Sequence, residues 1–150
     1  MVVFVTTDVT GDKKMTNNSN DLDHATRRLL ELQDSRDWDA VEASIDPGMV
    51  AHVGTNDLDA QGWMGFGRMF YDAFPDARHK LERTVVQGDV VVAIGRFGGT
   101  HRGELMGIPG TNRTVSMGVI TAYRYEGGKV VEHWGQFDSA GLMQQIGPER

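Results

Sequence analysis

Apolar positions recur at helical spacing through the first half of the chain and alternate through most of the second. Leu22, Ala25, Leu29 and Leu32 share one face, with Arg27, Arg28 and Glu31 off it. That predicts a first helix opened by an Asn20 or Asp21 cap. Trp38, Val41 and Ile45 predict a second helix, ended by Asp46-Pro47-Gly48. Residues 49–54 read as a short strand, in which His52 points away from Ala51 and Val53. After a polar loop, Trp63, Phe66, Gly67, Phe70 and Phe74 predict a third helix over 63–74. Met64 and Met69 make it apolar nearly all round, and Pro75 ends it.

From His79 onward the period changes to two. Strands are predicted over 79–87, 90–101, 114–125 and 130–137, with a turn at Gly88-Asp89 and a long connection over 102–112. Gly95, Gly98 and Gly99 predict a bulge or strong bend in the second of these strands. Glu126-Gly127-Gly128 joins the last two, and its loop length sets their register. A three-residue loop places Met117, Val119, Thr121 and Tyr123 on the same face as Val131, His133, Gly135 and Phe137. A two-residue loop places Trp134 and Asp138 there instead. Asp138-Ser139 then opens a final helix with Leu142, Met143 and Ile146 as its stripe, stopped by Gly147-Pro148. Segregated helices and an antiparallel meander mean an α+β fold.

Composition narrows the picture. At 150 residues the chain suffices for one domain with a real core. Residues 1–14 match nothing downstream and read as an extension outside a domain spanning 15–150, or else as an added edge strand. The net charge of −6 argues against a nucleic-acid partner. With no cysteine, thiol nucleophiles and thiolate metal sites are excluded. No apolar run reaches the ~20 residues of a membrane span, so a cytoplasmic protein without membrane contact is expected. The five histidines lack metal-ligand spacing, and neither a nucleophile elbow nor a phosphate-binding glycine loop occurs. No metal or cofactor is therefore expected.

Three stretches, GDVVVAIGRFGGTHRGELMGIPGTNR, AYRYEGGKVVEHW and FDSAGLMQQIG, together resemble the SnoaL-like polyketide cyclase (ester cyclase) family of the nuclear transport factor 2-like superfamily. The resemblance implies a cone-shaped curved antiparallel sheet with helices across its concave face, an apolar pocket and a homodimer formed through the sheet. It also implies an aldol ring closure in which an aspartate and a histidine act. Those two positions fall on Gly135 and Thr121 here, so the usual pair is missing. The Arg-x-Asp of the related epoxide hydrolases is missing as well, since Arg96-Phe97-Gly98 stands in its place.

Two histidines then remain as candidate acid–base groups, because imidazole exchanges protons near neutral pH. They are His133 on the last strand and His101 beside the pocket loop. The plainer reading of His133 is a satisfied structural histidine, and that of His101 a loop anchor. A substrate pocket is expected to be lined by His52, Trp63, Phe66, Phe97, Thr121, Tyr123, Gly135 and Phe137. The resulting expectation is a pocket for a small hydrophobic organic molecule, serving a cofactor-independent cyclase-, isomerase- or hydrolase-type enzyme. The alternative is a non-catalytic binding or dimerisation domain of the same fold.

Overall fold

The computed structural model describes residues 18–147, and the expectations for residues 1–14 lie outside them. The elements are α1 (Ser19–Asp34), α2 (Trp38–Ala43), β1 (Ile45–Val53), β2 (Asn56–Leu58), α3 (Ala60–Ala73), β3 (Arg78–Gln87), β4 (Val90–Thr100), β5 (Thr114–Glu126), β6 (Lys129–Phe137) and α4 (Ser139–Ile146). The strands form one sheet in the order β2-β1-β6-β5-β4-β3. It is antiparallel except where β1 runs parallel to β6. The α+β expectation holds.

Carboxylates and amides open the helices. Asn18, not Asn20 or Asp21, caps α1, its side chain accepting from the Asn20 backbone N–H. Asp37, Asp59 and Asp138 do the same for α2, α3 and α4. The second helix stops earlier than its stripe suggested. Ile45 is already in β1, and Asp46-Pro47-Gly48 forms a wide irregularity inside that strand, between the Ile45↔Val130 and Val50↔Glu132 pairs. Proline is tolerated there because no ladder hydrogen bond is required of it. The polar loop before α3 contains β2, a three-residue edge strand folded back on β1.

Gly95 and Gly98 lie where strands approach closely. A Cβ at either would meet a neighbouring backbone carbonyl, 2.4 Å from Lys80 O or 2.1 Å from Val115 O. The expected irregularity falls not in β4 but opposite it, in β3 between Leu81 and Arg83. β4 and β5 pair without interruption from Val90↔Arg124 to Thr100↔Thr114.

The β5–β6 hairpin combines the two registers considered from sequence. Glu126 pairs with Lys129, so the loop is the two residues Gly127 and Gly128, both with positive φ. Between the Tyr125↔Val130 and Arg124↔Glu132 pairs one extra residue, Val131, is accommodated as a bulge. The bulge restores the other register. Tyr123 faces His133, Thr121 faces Gly135 and Val119 faces Phe137. Trp134 is left on the opposite face.

Two apolar clusters fill the concave side. One joins Leu22, Leu29 and Leu32 of α1 and Trp63 and Met64 of α3 to Val91, Tyr123, Tyr125 and Val130. The other joins Phe70 and Phe74 to Phe97, Val115 and Met117, closed by Leu142 and Ile146 of α4. Met143, expected on the α4 stripe, is exposed instead. At the opposite sheet face Val50, Val85, Ile120 and Trp134 remain exposed.

Candidate functional site

Between α1, α3 and the concave face of the sheet lies a cavity of about 100 Å³. The strand register builds one wall, with Met117, Val119, Thr121 and Tyr123 of β5, His133, Gly135 and Phe137 of β6, and Phe97 of β4. Helical spacing builds the other, with Trp63, Phe66, Gly67, Phe70 and Tyr71 of α3. Gly67 has no Cβ, and the Trp38 ring closes in there, 3.2 Å from where one would stand. Of the residues expected to line a pocket, Trp63, Phe66, Phe97, Thr121, Tyr123, Gly135 and Phe137 do so, as does His133.

His52 and His101 do not line this cavity. His52 alternates onto the other side of the sheet. There its Nδ1 and Nε2 each lie 2.7 Å from a carboxylate, of Asp57 and Glu132 respectively, and its ring lies against Trp134. Those two hydrogen bonds raise its pKa. His101 is fully buried under Phe74. Its Nδ1 accepts from the Thr111 backbone N–H and lies 3.0 Å from the Thr111 hydroxyl, holding the loop closed.

His133 is buried between Trp63 and Tyr123, at ring-centroid distances of 5.3 and 4.8 Å. Burial disfavours the imidazolium and pushes its pKa down to about 3. The ring is therefore neutral at ordinary pH and has little basicity. Gly135 leaves no void beside it. The imidazole lies over the glycine, with Nε2 2.9 Å from the place of a Cβ.

The strongest polar constellation was not expected from sequence. His79, the second residue of β3, lines the cavity, and its Nδ1 lies 2.8 Å from Asp34 Oδ1 at the end of α1. The other oxygen, Oδ2, accepts from the His79 backbone N–H at 3.0 Å. The Tyr71 hydroxyl donates to Asp34 Oδ1 at 2.6 Å. Burial works to raise the Asp34 pKa, but the hydrogen bonds from His79 and Tyr71 outweigh it and hold the carboxyl below its ordinary value. Burial, with the Asp34 charge beside it, raises the Tyr71 phenol. An ionised carboxylate therefore fixes the imidazole through Nδ1, and Nε2 has no partner among the described residues. This is the arrangement of a histidine base oriented by an acid. Only the start of β3 signals it in sequence, and nothing there shows that α1 ends beside it.

The whole domain has counterparts. Residues 23–146 match the family described as SnoaL-like polyketide cyclase. Among solved structures, AclR of Streptomyces galilaeus, a proposed hydroxylase, superposes with a TM-score of 0.81 at 22% identity, over 87% of this chain and 98% of its own. IdmH of Streptomyces antibioticus, a proposed polyketide cyclase, has a TM-score of 0.77 at 29% identity, over 85% and 99%. TsrD of Streptomyces laurentii has 0.77 at 25%, over 87% and 97%. No curated protein matches the sequence.

Proposed function

The chain belongs to the SnoaL-like polyketide cyclase family, and on that premise we propose that it is an acid–base enzyme acting on a small, largely apolar organic molecule. The observation that carries this reading is the Asp34–His79 pair, whose imidazole lines a cavity rich in aromatic side chains. His79 Nε2 removes a proton from a carbon next to a carbonyl. The C–H electron pair moves into the carbonyl as an enolate, and the proton returns to carbon or to oxygen. If a second carbonyl lies within reach, the enolate carbon attacks it and closes a ring. Asp34 holds the imidazole in orientation and stabilises the imidazolium that forms. This is the family's aldol chemistry run from a different strand, since the resemblance puts the aspartate and histidine positions at Gly135 and Thr121. IdmH, 29% identical, is itself described as a proposed polyketide cyclase. At about 100 Å³ the cavity takes a one-ring molecule only with some movement of its walls.

The test is deuterium wash-in at the α-carbon of cyclohexanone and 2-tetralone, followed by NMR. Exchange above the buffer rate is expected, and His79→Ala and Asp34→Asn should each lower it, the first by ~10²–10⁴-fold. Exchange at the buffer rate with both ketones, or exchange indifferent to His79, overturns the proposal. Binding without exchange would instead support the non-catalytic alternative. We also propose a homodimer through the exposed sheet face, where Val50, Ile120 and Trp134 form an apolar surface.

A further inference from the structure

We infer that His133 is the residue that holds the bound molecule from β6, three strands along the sheet from His79: its Nε2 hydrogen-bonds a neutral hydroxyl or carbonyl oxygen, and Gly135 is the gap in which the imidazole lies. The inference rests on the site proposed above but not on its chemistry.

Position 135 points into the cavity and carries no side chain. The space a side chain would take is occupied from two residues away, by the His133 ring, whose Nε2 stands 2.9 Å from the missing Cβ. Trp63 and Tyr123 fix the plane of that ring. Nδ1 is buried with no side-chain hydrogen-bond partner among the described residues, the Ala122 backbone is the polar group that acts on the ring, and Nε2 is the nitrogen turned towards the gap at position 135. Nε2 is therefore the nitrogen that a ligand reaches. A polar atom at the wall of an aromatic cavity without a partner is costly unless something supplies one.

Charge and polarity limit what that something is. Among the described residues no lysine, arginine, aspartate or glutamate lines the cavity, so a charged ligand finds no such countercharge from them. Burial keeps His133 itself neutral. A neutral imidazole carries one N–H and one acceptor nitrogen, so it serves a carbonyl or a hydroxyl according to tautomer. The ligand class is an uncharged, ring-sized molecule with an oxygen on its edge, held at that oxygen by His133 and packed by Phe66, Phe70, Phe97 and Phe137.

The experiment uses the full chain labelled with 15N-histidine, with phenol and cyclohexanone as oxygen-bearing probes, toluene as the shape control and benzoate as the charged one. Phenol and cyclohexanone should move the His133 Nε2 resonance, toluene should not, and benzoate should bind at least tenfold more weakly than phenol. His133→Phe should weaken phenol tenfold or more while leaving toluene within about twofold, and His133→Gln should recover part of the loss. Gly135→Ala, which displaces the ring, should weaken phenol in the same direction. An unmoved Nε2 at saturation, no binding of either oxygen-bearing probe, or phenol affinity unchanged in His133→Phe each overturn the inference. His133-dependent binding without α-proton exchange would sink the enzymatic proposal alone. Exchange with phenol affinity indifferent to residue 133 would sink this one alone.

Discussion

At the level of single residues, environment separates the histidines more sharply than sequence position does. His133 and His52 are neighbours across the sheet's two faces, yet burial lowers one pKa to about 3 and two carboxylates raise the other. Their effects on stability have opposite sign. The unfolded chain binds a proton at His133 near pH ~6.5, the native chain only near 3, so native stability falls as pH drops through that interval and levels off below it. The full effect is on the order of 5 kcal/mol. His52 stabilises the native state below its unfolded pKa, and that contribution is lost as pH rises through the higher native value. Urea midpoints measured from pH 7.5 to 4 should fall steeply for the natural protein and much less for His133→Gln; equal slopes would mean that His133 is not buried neutral. Tyr71→Phe removes a hydrogen bond to the Asp34 carboxylate. It should destabilise the fold by ~1.5–3 kcal/mol, as for bonds to charged groups, and denaturation at pH 7 would show it. Eight cavity residues were legible in the sequence, because helical spacing on α3 and alternation on β4, β5 and β6 declare which side chains share a face. His79 was not, because its meaning lies in Asp34 and Tyr71, which belong to two other elements.

Among the elements, the β5–β6 hairpin decides what the cavity contains. A two-residue turn alone would carry Trp134 inward, and the Val131 bulge reverses that. The turn was readable at Glu126-Gly127-Gly128, but neither its length nor the bulge was, because the two glycines suit a two- or a three-residue loop and any β-branched residue sits equally well in a regular strand. Deleting Val131 should move β6 by one residue, exposing His133 and burying Trp134. The expected outcome is a chain that no longer unfolds cooperatively, read by near-UV circular dichroism and urea titration; an intact near-UV spectrum would show that the bulge can migrate. The terminal helix starts where its sequence said, at the residue after Asp138, whose carboxylate accepts from the Gly141 N–H at 2.8 Å. Asp138→Ala should therefore destabilise by about 1 kcal/mol, a loss of capping rather than of catalysis. The second helix was overextended for a different reason. Ile45 continues the helical stripe of Trp38 and Val41 and is equally suited to the first position of a buried strand, and only pairing with Val130 distinguishes the two.

For the whole molecule, the layered architecture was evident from the order of periodicities, and its untreated side is the exposed sheet face. Trp134→Glu should shift a dimer to monomer in light scattering without changing the circular dichroism; a natural protein that is monomeric at micromolar concentration would remove the dimer proposal. The parallel pairing of β1 with β6 also constrains how the chain reaches this structure. His52 pairs beside Trp134, about eighty positions later, whereas β3 to β6 are joined in succession by hairpins and one longer connection. Local hairpins close within microseconds, while distant partners must wait for the chain between them to be ordered. During synthesis, β1 emerges with only the three-residue β2 to join until β6 has left the ribosome. Pulse-labelled hydrogen exchange on refolding should therefore protect amides of β4 and β5 before those of β1, and a chain cut off before Lys129 should leave β1 and its apolar flank open to aggregation.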